Sequence, residues 1–375
     1  MIVSSNISTM TAVTAASAVL LMVAWVTYAK YRWKRSLQVF LKEHGNDDER
    51  IHKEEERGIL LIVNPASGGG KSIRMYETVL CELHATGRAV HVIVTKGSEH
   101  LLNLTQHIDV SSYKVIAIMG GDSTITEFVQ HDLVENKGRW PYSPILHLPA
   151  GTGNAIAREM FGSPLPSMQD IIRHGMTKSK RASVLQITST NMMERYALHN
   201  CFDGAQRHML QDLDQSRAHL YPAFGPAIVL PILMASLFWR VPKDMQIPYF
   251  LAIISDTEGM DTDLDFGISR FDDQMIVMNV EQWPGSFQFL RLFLHFMSGR
   301  LAKDWRNDKL HEWVRIKKTN QFTLEGDASF HMYLDGGGSI PCQGKLPIAF
   351  QVIPDVIPYF VHDGGVVEED AKKKD

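Results

Sequence analysis

The chain has 375 residues, room for two domains, and its 45% hydrophobic and 21% charged residues exclude a disordered or low-complexity protein. A formal charge of −4 lacks the basic surplus with which nucleic-acid binders announce themselves. Cys81, Cys201 and Cys342 are few, odd in number and widely spaced, which excludes a disulfide framework or a paired-cysteine metal site and points to a reducing compartment.

Thr9 to Ala29 carries no charge and is long enough to span a bilayer. Trp25, Tyr28, Tyr31 and Trp33 suit a membrane interface, and Lys30, Arg32, Lys34 and Arg35 favour a cytoplasmic side for the rest of the chain. A cleaved signal peptide is the rival reading, but the positive n-region is missing. Residues 1–35 are therefore expected to form a single transmembrane anchor with a basic flank, followed by a charged linker at 36–57 that is densest from Glu43 to Arg57.

From Gly58 to about residue 180, apolar strands alternate with helical stretches. Strands are predicted at Ile59–Val63, Ala89–Thr95, Lys114–Met119 and Ile145–Leu148. Helices are predicted at Ser72–His84, Glu99–His107, Ile125–Val134 and Ala155–Met160. This alternation predicts an α/β domain, a parallel sheet with helices on both faces.

Three of these strands run into small-residue turns: NPASGGGK (Asn64 to Lys71), GGDST (Gly120 to Thr124) and PAGTGNAIA (Pro149 to Ala157). Glycines let a backbone approach a ligand, and a helix start beyond such a turn favours an anion, most often a phosphate. Parallel strands would bring all three turns to one sheet edge, where α/β folds bind ligands. Neither GxxxxGK[ST] nor GxGxxG occurs, so the arrangement differs from the usual nucleotide fingerprints.

From Ser183 the texture changes to closely spaced short strands, predicted at Ser183–Ser189, Arg195–Asn200, Tyr249–Ser255, Gln274–Asn279, Trp313–Lys318, Gln321–Leu324, Phe330–Leu334 and Leu346–Val352. Residues 181–361 thus read as a β-rich antiparallel sandwich domain, followed by a charged tail at 362–375. Two helical exceptions interrupt it. Ala223 to Trp239 is apolar but broken by Gly225, Pro226 and Pro231, and Phe287 to Met297 is amphipathic.

The ordered set of three turns resembles the diacylglycerol kinase catalytic domain, whose superfamily includes sphingosine and ceramide kinases. Thr95-Lys-Gly-Ser-Glu-His100 and the FLRLFL stretch from Phe289 to Leu294 are similar to segments of the sphingosine kinase branch. The resemblance runs from about Gly58 to Val361. It implies an ATP- and Mg²⁺-dependent lipid kinase that phosphorylates a lipid hydroxyl, with a sphingoid base ahead of diacylglycerol or ceramide. The implied partners are a lipid substrate and a membrane, that of the endoplasmic reticulum or the outer mitochondrial membrane, with room for a homodimer. An NAD kinase relative, which shares the Gly-Gly-Asp turn, is a weaker option because of the apolar second domain.

By resemblance, nucleotide contacts fall on Asn64, Ser67, Gly69, Gly70, Lys71, Thr95, Gly120, Gly121, Ser123, Thr124, Gly151, Thr152, Gly153 and Asn154. Glu127 is placed to orient the neighbouring loop, Arg217 and Asp335 complete the set, and Asp122 is both catalytic and the metal ligand. A hydroxyl acceptor needs a general base, usually a carboxylate. Asp203, Asp212 and Asp214 are candidates, and Asp212 is chosen for its distance from Arg217.

Two positions depart from the family pattern. Ser123 stands where the third glycine of the turn is usual, and serine holds φ > 0 only at a cost. Asp335-Gly336-Gly337 replaces the usual Asp-Gly-Glu, so a carboxylate is missing. A degenerate, non-catalytic nucleotide- or lipid-binding member is the alternative.

Overall fold

The structure, a computed structural model, describes residues 3–45, 58–162, 164–202, 220–224, 249–253, 275–280, 314–326, 329–335 and 337–362. The linker at 46–57, Asp203, Asp212, Asp214, Arg217, most of Ala223 to Trp239, the stretch from Phe287 to Met297 and the tail beyond His362 lie outside the described residues.

Strands β1 (Ile59–Val63), β2 (Val90–Val94), β3 (Val115–Gly120) and β4 (Ile145–Pro149) pair in parallel in the order β2-β1-β3-β4. β1, β3 and β4 are buried at every position, and strands covered on both faces read as unbroken apolar runs. The intervening helices are α2 (Lys71–Ala85), α3 (Ser98–Leu102), α4 (Leu104–His107), α5 (Asp122–Glu135), α6 (Ala155–Phe161) and α7 (Met168–His174). The helix predicted over Glu99–His107 is divided at Asn103, and α7 has no counterpart among the predicted helices. Ser167 caps α7 by accepting from the Asp170 amide, 3.1 Å away.

The later strands are β5 (Lys178–Ser189), β6 (Met192–Ala197), β7 (Asn200–Phe202), β8 (Tyr249–Ile253), β9 (Met275–Val280), β10 (Val314–Thr319), β11 (Gln321–Leu324), β12 (Ser329–Leu334), β13 (Gly337–Lys345) and β14 (Ile348–Val361). They do not form one separate sandwich. β14 pairs in parallel with β4 at Tyr359 and Ile145 and antiparallel with β5 from Ile348 to Val361. β5, β6, β11 and β14 therefore continue the first sheet, while β10-β9-β8-β7-β12-β13 form a second, antiparallel one. The architecture is a parallel-rich α/β sheet followed by an antiparallel half. Ile62, Ile118 and Phe128 belong to a core around the parallel strands, and Ile187, Phe330 and Phe350 belong to a second core in the antiparallel half.

The N-terminal expectation needs revision. α1 runs unbroken from Val3 to His44, well beyond the apolar stretch. Among the described residues no helix is long and apolar enough to cross a membrane. Its later turns dock on protein instead: Phe40 is buried and meets Tyr76 of α2 edge-on, ring centroids 5.1 Å apart. Farther back, Trp25 Nε1 donates to the Ala223 carbonyl at 3.2 Å, in a helical turn at Tyr221–Phe224.

Candidate functional site

The carboxyl ends of β1, β3 and β4 deliver the three Gly-rich turns to one place, as parallel pairing requires. Asn64 follows β1 and joins two of them. Its Nδ2 donates to Thr124 Oγ1 at 3.1 Å, and its Oδ1 accepts from the Ala66 amide at 3.1 Å. Ser67–Gly69 then forms a short 3-10 turn in which Gly68 takes φ 57°, a left-handed value. A Cβ on Gly68 would lie 2.2 Å from the Ala150 carbonyl oxygen, so only glycine lets the first turn rest on the third.

The second and third turns meet closely through their backbones. The Gly120 carbonyl accepts from the amides of Ala150 at 2.8 Å and Gly151 at 3.1 Å. A Cβ on Gly151 would stand 2.5 Å from the Gly121 Cα. Asn154, at φ 55°, closes the third turn on itself: its Oδ1 accepts from the Gly151 amide at 2.8 Å and its Nδ2 donates to the Gly151 carbonyl at 2.9 Å.

Lys71 bridges the first and third turns, its Nζ donating to the Pro149 carbonyl at 3.0 Å. Burial and then the neighbouring Arg74 push its pKa below the ordinary lysine value, so this is no freely solvated side chain. Thr95 is buried at the end of β2, its amide bonded to the Val63 carbonyl at 2.9 Å. Beside it, Lys96, Gly97, Ser98, Glu99, His100, Asn103 and His107 line a cavity of about 470 Å³. Glu127 is buried one turn into α5, and Thr152 and Gly153 lie in the third turn itself.

Asp122 does something the sequence did not foresee. Its Oδ2 accepts from the Ala155 amide and its Oδ1 from the Ile156 amide, both at 2.9 Å. The carboxylate thus caps α6 rather than its own helix and ties the second turn to the third. Each oxygen retains a second lone pair. Ser123 carries no left-handed backbone, because it lies inside α5. The conformational cost anticipated for it does not arise. The amides of Asp122 and Ser123 belong to the first turn of α5, beyond the reach of its internal ladder.

Asp335, expected at the nucleotide, is bonded to α5 and to the antiparallel half. Its carboxylate is a hub: Oδ1 accepts from the His199 and Asn200 amides, and Oδ2 from the Leu198 amide, each at 2.7 Å. Thr126 Oγ1 adds a fourth donor to Oδ2 at 2.6 Å. Burial pushes the Asp335 carboxyl above its ordinary value, while the Leu198, Thr126 and Asn200 donors pull the other way. The residue therefore joins α5 to the antiparallel half.

Sequence reasoning missed three participants. Thr126 follows Asp122 by one helical turn, which was the available signal. Glu159 of α6 pairs with His199 Nδ1 at 2.5 Å, a contact between distant segments that no spacing reveals. Trp33 of α1 lies against the first turn, its Nε1 3.4 Å from where a Cβ on Gly70 would stand.

Residues 58–187 match the family model for the diacylglycerol kinase catalytic domain. This stretch is similar to that catalytic domain. Among curated relatives, "Sphingoid long chain base kinase 4" of Schizosaccharomyces pombe is 25% identical over 30% of this chain and 25% of its own length. "Sphingoid long-chain bases kinase 1" of Arabidopsis thaliana is 29% identical over 32% of this chain and 16% of its own. "Sphingosine kinase 1" of Homo sapiens is 26% identical over 27% of each. The chain thus spans about a quarter or less of the length of these relatives. A diacylglycerol kinase crystal structure from Bacillus anthracis str. Sterne shares the fold, with TM-score 0.52, 14% identity, and coverage of 84% of this chain and 100% of that one. The family model spans all three turns and ends in β5, so α1 and the later strands lie outside it.

Proposed function

We propose that this chain is an ATP-dependent lipid kinase that phosphorylates a hydroxyl of a membrane lipid, a sphingoid base ahead of diacylglycerol or ceramide. The convergence of three Gly-rich turns at one sheet edge, with Lys71 held between two of them, carries this reading. The relatives named as sphingoid base kinases favour the acceptor. Phosphoryl transfer needs positioning and charge neutralisation more than covalent help from the protein. Lys71 supplies positive charge, and the first-turn amides of α5 supply donors for phosphate oxygens.

The family chemistry calls for a divalent ion, which neutralises phosphate charge when bound. Among the described residues no group of three or more His, Cys, Asp or Glu could cage an ion. Asp122, with a spare lone pair on each oxygen, suits an ion that arrives on the nucleotide. In this reading Asp212 takes the acceptor proton.

The exposed apolar collar of α1, from Val19 through Val23 to Trp25, Tyr28 and Tyr31, supports seating at a membrane, with the catalytic part on the cytoplasmic side. Flotation of the full chain with liposomes tests this. We expect Leu20→Ser with Leu21→Ser to reduce recovery in the lipid fraction, and unchanged recovery would overturn the seating.

The deciding assay incubates the full chain with Mg-ATP and vesicles containing sphingosine, diacylglycerol or ceramide. Transfer to sphingosine above the other two is expected; no transfer to any of them would sink the kinase reading. A second reading, nucleotide binding without turnover, is favoured by the missing carboxylate at Gly337. It predicts ATP binding by calorimetry with no product.

A further inference from the structure

The two positions that depart from the family pattern lie against each other. Gly337 opens β13, and a Cβ built on it would stand 2.7 Å from the Cβ of Ser123 and 3.5 Å from its Oγ. Non-bonded carbons settle at about 3.5–4.0 Å, so both positions cannot carry side chains unless backbone moves. Gly337 does not owe its identity to a left-handed φ. The next nearest atom, the Leu334 carbonyl oxygen at 3.6 Å, is at ordinary contact distance. Ser123 is the obstacle.

Ser123 also stands at a sensitive point. It follows Asp122, whose carboxylate holds the start of α6, and lies in the first turn of α5 with its outward amides. Three residues farther along the same helix, Thr126 is bonded to Asp335, two residues before Gly337. The start of β13 is thus tethered to α5 on one side and pressed against it on the other. Any side chain at 337 would push directly on the turn that presents Asp122.

We propose that Ser123 and Gly337 act as one steric determinant: the Ser123 side chain fills the space that a residue 337 side chain would take. Ser123 is then a positioning residue that sets the first turn of α5 against β13. A neutral hydroxymethyl group occupies the place where an acidic chain from the other strand would enter. This deepens the kinase reading and rests on it only for its catalytic consequence, since the packing holds whatever the reaction.

A double-mutant cycle tests the pair in the full chain: Gly337→Ala, Ser123→Gly, and the two together. Thermal stability and ATP affinity by calorimetry are read first, and lipid phosphorylation second. Gly337→Ala alone should lower the midpoint and weaken ATP binding at least about tenfold, which corresponds to about 1.4 kcal/mol. Adding Ser123→Gly should bring the affinity back to within about threefold of the parent, a rescue that independent losses cannot give. In the same background, Ser123→Gly with Gly337→Glu should fold, whereas Gly337→Glu alone should lose stability. Additive effects, or a Gly337→Ala variant indistinguishable from the parent, would overturn the pairing. If the parent binds no ATP, the kinase reading fails, and the stability arm still decides the pair.

Discussion

Removing the Asp335 carboxylate strands four donors at once. In Asp335→Ala the buried Leu198 amide and the half-buried His199 and Asn200 amides lose their acceptor, and Thr126 Oγ1 must turn elsewhere. A buried donor left without an acceptor costs about 1–3 kcal/mol, and an ordinary net hydrogen bond is worth about 0.5–1.5 kcal/mol. Taking the larger figure for Leu198 and the smaller for each of the other two amides gives about 2–6 kcal/mol. A typical native reserve is about 5–15 kcal/mol, so the variant would lose a large part of it.

Asp335→Asn is the informative companion. Its single carbonyl oxygen can serve the His199 and Asn200 amides, while its NH₂ can donate to Thr126 but must face the Leu198 N–H. One orphaned amide remains, at about 1–3 kcal/mol. Urea unfolding followed by circular dichroism should therefore rank the parent above Asp335→Asn and that above Asp335→Ala. Nucleotide affinity measured on the folded fraction should fall much less than stability, because the carboxylate faces backbone and not the three turns. An Asp335→Ala variant within about 1 kcal/mol of the parent would refute the hub, as would a loss confined to ATP binding.

Other perturbations separate the roles within the turns. Asp122→Asn offers one acceptor to two amides, so it should cost about 0.5–1.5 kcal/mol in stability, one net hydrogen bond, and, on the scale of a lost acid–base group, about 10²-fold or more in transfer; a folded variant with parental transfer would remove Asp122 from the machinery. Lys71→Met loses the bond to Pro149 and the positive charge between the first and third turns. At about 1.5–3 kcal/mol for a charged hydrogen bond, ATP affinity should fall about 10- to 150-fold in calorimetry, and an unchanged affinity would place Lys71 outside the site. Gly70→Ala puts a Cβ at φ 86° and 3.4 Å from Trp33 Nε1. The left-handed strain alone is about 1–2 kcal/mol, and faster hydrogen exchange in α1 near Trp33 should accompany it; unchanged exchange would show that α1 does not lean on this turn.

Much of the parallel sheet was legible because its strands are buried on both faces. Ile59 to Val63 matched its predicted bounds, since an unbroken apolar run between turn residues admits little else. β13 escaped notice because Gly337, Gly338, Pro341 and Gly344 read as loop residues. Its place comes from pairing with β12 at Phe330 to Met332, a tertiary fact. The same limit explains β14. Sequence predicted its first half as a strand of the sandwich, but its second half reaches Ile145 and makes one sheet of strands that look like two domains.

The candidate site divides along the same physical line. Backbone requirements were visible, because a turn that must rest on another turn selects glycine, as at Gly68 against Ala150. The partners of side chains within the fold were not, because a carboxylate has the same letter whether it meets a ligand or an amide. The bonds of Asp122 to the Ala155 and Ile156 amides, and of Asp335 to the Leu198, His199 and Asn200 amides, have no signal in the sequence. Both carboxylates join segments that sequence cannot bring together, one linking two turns and the other linking α5 to the antiparallel half. The geometry of the Gly-rich turns therefore depends on acids whose oxygens face backbone amides. A substitution at either would lower activity, and only the split between stability and nucleotide affinity tells positioning from chemistry.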